Sequence, residues 1–335
     1  MIDEIPLGVG IIGCGLIGNK RANSLGSNGR LLFCFDIDKD RSKLMAEKFN
    51  SKVTENWQEL IRNESIDLVI VSTLHDSLAE ITLAAAEYGK HVLVEKPAAR
   101  NFEEIKFVLN KIKNQDVKVR VGFNHRYHRA LQKAKELVDS GALGELMFIR
   151  SRYGHGGRKG YNNEWRSKPE LSGGGELIDQ GSHLIDLSRW FLGDFSNITG
   201  YANTYYWDMP VDDNAFLILK NTENQVAFLQ VSCTEWKNMF SMEIYGKLGK
   251  LDISGLGGSY GLEKITFYKM LPEMGPPETC SWEYPMSDNS WSIEIQEFFN
   301  DIKRNRVPSP NLTDAYQSLK IIQKIYSESG YDFSS

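Results

Sequence analysis

The chain has 335 residues, with 39 Lys plus Arg against 44 Asp plus Glu, a net charge of −5. Its 41% hydrophobic and 25% charged residues are ordinary globular usage, which excludes a fibrous or extensively disordered chain, and the length predicts about two domains. The slight acidic excess argues against a dedicated nucleic-acid binder, and no apolar run approaches the ~20 residues of a membrane span. The four cysteines, Cys14, Cys34, Cys233 and Cys280, are scattered without a C-x-x-C pair, so neither a disulfide framework nor a metal site is expected. The start, MIDEIPLGVGII, is acidic where a secretory leader is basic. A soluble protein of a reducing cytoplasm, with no membrane or nucleic-acid partner, is the expectation.

The first third alternates apolar runs (7–12, 31–35, a weak one near 53, 67–72, 91–94 and 117–121) with amphipathic stretches (18–27, 40–49, 56–63, 77–88 and 101–114). Runs this apolar predict a parallel sheet covered on both faces, and six of them match two mononucleotide-binding halves. After Gly122 the pattern changes. A helix is predicted over 127–140, an alternating strand over 146–153, a Gly-rich basic loop to Pro169 and a helix over 175–192. Strand-like segments then follow to Tyr268, a Pro-rich irregular segment covers 271–290, and helices near 291–304 and 313–328 close the chain. The fold expected is α/β: a doubly wound parallel domain over 1–122, then an α+β domain with an open, mostly antiparallel sheet over 123–335.

Gly13-Cys-Gly15-Leu16-Ile17-Gly18 fits G-x-G-x-x-G between a strand and a helix, the context that the motif requires. Gly13 allows the turn, Gly15 lets backbone approach a pyrophosphate, and Gly18 lets the helix pack on the strand, with its N-terminus facing the phosphates. Asp36 ends the next strand, 18 residues beyond Gly18. A carboxylate there accepts from ribose hydroxyls and repels a 2′-phosphate, which favours NAD over NADP.

Glu95-Lys96-Pro97 follows the fifth strand, at the end of the sheet where ligands bind. A crowded lysine can hold a substrate oxygen or take its proton. Taken alone, the segment reads equally as a surface turn. Asp179 and His183 share a face of the helix predicted over 175–192, with Asp186 near the same stripe. They are either an acid–base pair beside an apolar face or an inconsequential surface pair.

In these segments the chain resembles the Gfo/Idh/MocA oxidoreductases, among them glucose–fructose oxidoreductase and inositol dehydrogenase. The resemblance runs over nearly the whole length: the glycine motif, Asp36, GKHVLVEKP at 89–97, VGFNHRY at 121–127, SGGGELIDQGSHLIDLSRWFLG at 172–193 and IYGKLGKLDI at 244–253. It implies a Rossmann domain followed by an α/β domain, NAD or NADP as cofactor, and oxidation of a secondary alcohol on a sugar or cyclitol. Lys96 matches the lysine of EKP, and Asp179 and His183 match the acid and histidine of DxGxH. The resemblance thus implies that His183 accepts the hydroxyl proton, Lys96 holds the oxygen and Asp179 orients the pair, with either Lys96 or His183 able to be the base. Glu95, Lys96, Thr73 and His75 are expected beside the cofactor, together with the glycine loop and Asp36. The turn after the fourth strand departs from the family's T-P-N-x-x-H, reading Thr73-Leu74-His75-Asp76-Ser77-Leu78.

Residues 150–168 hold six cations, Arg150, Arg152, Arg158, Lys159, Arg166 and Lys168, against one acid, Glu164, with Tyr153, His155, Tyr161 and Trp165 between them. Arg forks suit phosphate or carboxylate and aromatic faces suit sugar rings, although a merely solvated loop fits as well. The expected substrate contacts are Asn124, Arg126, Arg152, Tyr153, Trp165 and Arg166. The expected activity is NAD-dependent oxidation of a ring hydroxyl on a phosphorylated or nucleotide-linked sugar, with a free cyclitol or hexose as the alternative. A non-catalytic NAD-binding regulator is opposed by the presence of Lys96, Asp179 and His183. Too few helices to cover both faces of the second sheet predict a homodimer or homotetramer.

Overall fold

A computed structural model describes residues 6–333, so the acidic start of the chain lies outside the described residues. The chain forms two compact units: residues up to Phe123 with Trp291–Tyr316, and Asn124–Ser290 with the segment from Gln317 onward.

In the first unit, β1 (Leu7–Ile12), β2 (Gly29–Phe35), β3 (Lys52–Val53), β4 (Leu68–Val71), β5 (His91–Glu95) and β6 (Val119–Gly122) form a parallel sheet in the order β3-β2-β1-β4-β5-β6. Helices α1 (Leu16–Ser24), α2 (Lys39–Phe49), α3 (Trp57–Arg62), α4 (His75–Glu87) and α5 (Phe102–Ile112) connect the strands. The order reverses between β1 and β4, and dinucleotides bind beyond the strand ends at such a reversal. Covered on both faces, the central strands are apolar throughout: Val9, Ile11, Leu68, Ile70 and Leu93 are fully buried. Asp38, Asn56 and Asn101 start α2, α3 and α5 by accepting backbone N–H groups of the first turn.

In the second unit, α6 (Arg129–Asp139) and α7 (Pro169–Ser172) flank β7 (Leu146–Gly154) in the chain, and α8 (Ser182–Leu192) follows. Then come β8 (Asn197–Asn203), β9 (Asn214–Lys220), β10 (Val226–Ser232), β11 (Met239–Gly246), β12 (Gly249–Ser254), β13 (Glu263–Lys269) and β14 (Glu278–Tyr284). The eight strands make one open sheet, β14-β13-β12-β11-β7-β10-β9-β8, antiparallel except where β7 meets β10. Its two faces differ. Tyr153, Phe240, Val231, Ala215 and Ala202 share one register row and are buried. The adjacent row, on the opposite face, holds Arg152, Ser241, Gln230, Phe216 and Tyr201.

The structure corrects the sequence reading in three places. Residues 278–284 are the edge strand β14 and not irregular chain; the prolines around them masked a strand that pairs along its whole length with β13. The 175–192 helix begins as a π-helical turn, Leu177–Gly181, before α8. And Trp291–Tyr316, expected in the second domain, belongs to the first unit. The reason is packing. Helix α9 (Ser290–Lys303) places Ile295, Phe298 and Phe299 against the Val9, Leu31 and Leu93 core. Arg120 reaches Asp301 in the same unit, and Phe102 meets Tyr316 of α10 (Leu312–Glu328) edge-on.

All four cysteines are free thiols. Among the described residues no helix is long and apolar enough to cross a membrane, and no cluster of three or more His, Cys, Asp or Glu could hold a metal ion.

Candidate active site

The candidate residues fall in both units and are taken unit by unit. In the first, the loop between β1 and α1 has the shape that a pyrophosphate needs. Gly13 has φ 97°, a conformation that L side chains rarely adopt, and its N–H donates to Phe35 O at 2.8 Å. A Cβ on Gly18 would sit 2.0 Å from Gly13 O, so α1 can close on the loop only with glycine there. Above Gly15 the space is open: a Cβ would meet only the Arg41 guanidinium, at 4.0 Å. Leu16 is 74% exposed and Ile17 half-buried at the start of α1. The Asp36 carboxylate accepts from Cys14 N at 2.6 Å and Asp38 N at 2.9 Å, which fixes it at the end of β2 beside the glycine loop. Each oxygen keeps a further lone pair for a ribose hydroxyl. These residues fit a dinucleotide.

The atypical turn after β4 is tied to the same loop. Ser72 Oγ donates to Gly13 O at 2.8 Å, and Ser77 Oγ donates to Thr73 Oγ1 at 2.9 Å. Thr73 is half-buried, whereas His75 is buried as the first residue of α4. Of the two expected cofactor neighbours, Thr73 keeps the exposed atoms.

Lys96 directly follows β5, half-buried, at a cis bond to Pro97. Glu95 is buried. Its carboxylate accepts from Arg21 at 2.6 Å, and Arg21 also donates to Glu294 Oε2 at 2.5 Å. Glu95 therefore engages Arg21 of α1, the helix that opens at the glycine loop. Burial pushes the Glu294 carboxyl up, while its partner Arg21 pulls it down.

In the second unit, Asp179 lies in the π-turn and His183 in the first turn of α8, both buried. Such turns recur at functional sites because they re-aim side chains within a helix. Asp212, wholly buried, anchors the approach. It accepts from Gly175 N at 2.9 Å, Leu177 N at 2.7 Å and the Tyr326 hydroxyl at 2.7 Å. Burial still raises its carboxyl to about 6. Asp179 Oδ2 accepts from Arg166 Nε at 2.8 Å, and Arg166 lies over the Trp165 ring at 4.6 Å. Burial disfavours the Arg166 cation, but Asp179 outweighs it and holds the guanidinium charged. The His183 ring stacks on His125, and Tyr153 stands edge-on to both.

The expected substrate residues separate here. Tyr153 faces His183 and Asn124 neighbours His125. Arg126 is instead the bidentate partner of buried Asp186, at 2.8 and 2.6 Å. Arg152 is exposed on the sheet face opposite Tyr153, because successive side chains of a strand alternate. Arg150 shares that outer face and pairs with Glu243 at 2.7 Å, and Arg158 pairs with Glu164 at 2.7 Å. Lys159 and Lys168 are exposed. Sequence reading missed Arg21, Ser72, Asp212, His125 and Glu294. His125 lay within a quoted motif, Ser72 directly precedes the quoted turn 73–78 and Arg21 lies three residues beyond Gly18, whereas Asp212 and Glu294 lay near none.

Residues 7–123 match the oxidoreductase family with an NAD-binding Rossmann fold, and residues 131–252 match the GFO/IDH/MocA C-terminal domain. Levoglucosan dehydrogenase of Pseudarthrobacter phenanthrenivorans is 31% identical over 366 residues, covering 93% of each chain. The scyllo-inositol 2-dehydrogenase (NAD(+)) of Bacillus subtilis is 29% identical over 327 residues, covering 93% of this chain and 90% of that one. The solved structure of levoglucosan dehydrogenase in complex with NADH superposes with a TM-score of 0.87 over 97% of each chain at 24% identity, which attests the fold. The chain thus belongs to the Gfo/Idh/MocA family and is an NAD-dependent oxidoreductase acting on CH–OH groups.

Proposed function

We propose that the protein oxidises a secondary ring hydroxyl of a free sugar or cyclitol. The observation that carries this reading is the Arg166–Asp179 pair, at 2.8 Å. Arg166 of the basic loop is engaged by the Asp179 carboxylate, while Arg150 and Arg152 lie on the outer face of the sheet. That leaves the phosphorylated or nucleotide-linked substrate without its expected receptor. The relatives act, by their names, on levoglucosan and inositols.

NAD, when bound, supplies the hydride acceptor. The chain's own residues manage the oxygen and the proton. His183 accepts the hydroxyl proton, Lys96 donates a hydrogen bond to the oxygen as negative charge develops there, and Asp179, held by Arg166, orients the hydroxyl. Tyr153, Trp165 and Asn124 are the substrate contacts that we retain. The exposed row of Tyr201 and Phe216, with Ile218 and Phe228 beside it, supports a homodimer or homotetramer built on that sheet face.

The test is a turnover screen with NAD, followed by absorbance of the reduced cofactor, over free hexoses, cyclitols and their phosphorylated analogues. Efficient oxidation of free polyols is expected. Turnover confined to phosphorylated or nucleotide-linked sugars would overturn the substrate assignment.

A further inference from the structure

We propose that His125 is a positioning residue for His183, and that the two stacked imidazoles together hold a single proton over the working pH range. The proposal rests on reading His183 as the acceptor of the hydroxyl proton.

His125 lies in the 3₁₀ turn Asn124–Tyr127. Its ring centroid is 3.7 Å from that of His183, with 23° between the planes, and both residues are buried. The plane of His125 is fixed from several sides. Tyr153 and His128 meet it edge-on at 5.2 and 5.4 Å, and Phe240 at 6.4 Å. Its tautomer is set as well. Asn124 Nδ2 donates to Ser290 Oγ at 2.9 Å, which turns the Asn124 carbonyl oxygen toward His125 Nδ1 at 3.3 Å. Nδ1 therefore carries the hydrogen and Nε2 is the basic nitrogen.

Two imidazolium rings at stacking distance repel strongly, so once one is protonated the other resists protonation and the pair titrates as a unit. The charged groups around the stack are themselves partnered. Asp179, one turn before His183, is on Arg166 at 2.8 Å; Asp186, three residues after it, is on Arg126 at 2.6 Å; and His128 faces Glu263 at 3.2 Å. The phenol of Tyr153, beside Tyr260, stays protonated well above the usual range because it is buried. The ionisable group in face-to-face contact with His183 is thus His125. A proton that settles on His125 leaves His183 neutral and competent, so moderate acid removes the acceptor only in part.

The pH dependence of kcat/KM on a free polyol, for the wild type and His125→Phe, reads this directly. Phenylalanine keeps a stacking ring without a titrating nitrogen. The wild-type acid limb is expected to level off, whereas the variant falls about tenfold per pH unit. Superposable limbs would overturn the proposal. A second measurement needs no variant: histidine-labelled wild-type protein, titrated by NMR from about pH 8 to about pH 5, should show one proton shared by the two rings. Full protonation of both over that range would overturn it. His183→Ala separates the two ideas. Wild-type turnover in that variant removes the proton-acceptor reading itself. Its loss, with coincident limbs for wild type and His125→Phe, removes only the role of His125.

Discussion

Arg21 Nη1 meets Glu294 Oε2 at 2.5 Å with both side chains wholly out of solvent. Arg21 belongs to the helix that opens at the glycine loop, and its other partner, Glu95, immediately precedes Lys96. One buried cation thus ties the cofactor helix, the lysine turn and α9 together. Removing one member leaves a buried charge uncompensated, which costs about 3–5 kcal/mol, whereas replacing the interacting groups together by apolar ones costs far less. Glu294→Leu should therefore unfold at much lower urea than the wild type. Arg21→Met in a background carrying Glu95→Gln and Glu294→Leu should recover most of the loss. Equal damage in both would mean that the ion cluster is not what holds these elements.

Cofactor choice follows from Asp36. Its carboxylate is fixed beside the glycine loop by the Cys14 and Asp38 amides, and a 2′-phosphate placed there meets like charge. NAD should bind more tightly than NADP in calorimetric titration, and Asp36→Ser should narrow the gap. Arg41, paired with Asp38 at 3.2 Å and reaching over Gly15, is the nearby cation that could soften the preference. Tighter binding of NADP by the wild type would remove the role given to Asp36.

Much of this was legible in the sequence, for a definite reason. The glycine loop, Asp36, Lys96, Asp179 and His183 sit in local patterns whose spacing reports their place on a strand end or helix face. What escaped depends on contacts between distant segments. Nothing in the 291–304 helix announces that Glu294 neutralises Arg21, and nothing in VGFNHRY announces that His125 stacks on His183. The basic loop shows the complementary failure. Its six cations were countable, but their meaning turned on the period of two along β7, which sends Arg150 and Arg152 outward and Tyr153 inward.

Lys96→Ala and His183→Ala should each lower kcat by about 10²–10⁴-fold, the usual contribution of a positioned acid–base group, with NAD affinity nearly unchanged. Stopped-flow turnover together with NAD titration measures both quantities. Near wild-type kcat in both variants would dismiss the assigned roles.

Arg152 and Arg166, two of the three arginines expected to bind substrate, should part company. Arg152→Ala, on the exposed outer face, should leave kcat/KM for a free polyol within about twofold, a change of less than ~0.5 kcal/mol. Arg166→Ala frees the buried Asp179 carboxylate from its partner and should cost far more, with Arg166→Lys restoring part of the loss. A larger effect at Arg152 than at Arg166 would revive the anionic substrate.

Asp212 predicts a pH dependence of stability whose sign runs against the usual carboxylate. Its folded value is raised to about 6 from 3.8 by burial, so the folded state holds the proton more tightly than the unfolded chain does. The stabilisation from this group is complete below about pH 4 and is lost as pH rises through about 6, for a total of about 3 kcal/mol. Asp212→Asn cannot titrate. It keeps one carbonyl oxygen for Gly175 N–H and the Tyr326 hydroxyl, but sets an amide against Leu177 N–H, so it should be less stable than the wild type. The distinguishing quantity is the difference between the two proteins. Urea unfolding followed by tryptophan fluorescence should show the wild type's advantage shrinking from pH 4.5 to pH 7.5, because only the wild type acquires a buried charge over that interval. An advantage that stays constant or grows with pH would mean that the three hydrogen bonds to Asp212 outweigh its burial and keep it ionised throughout.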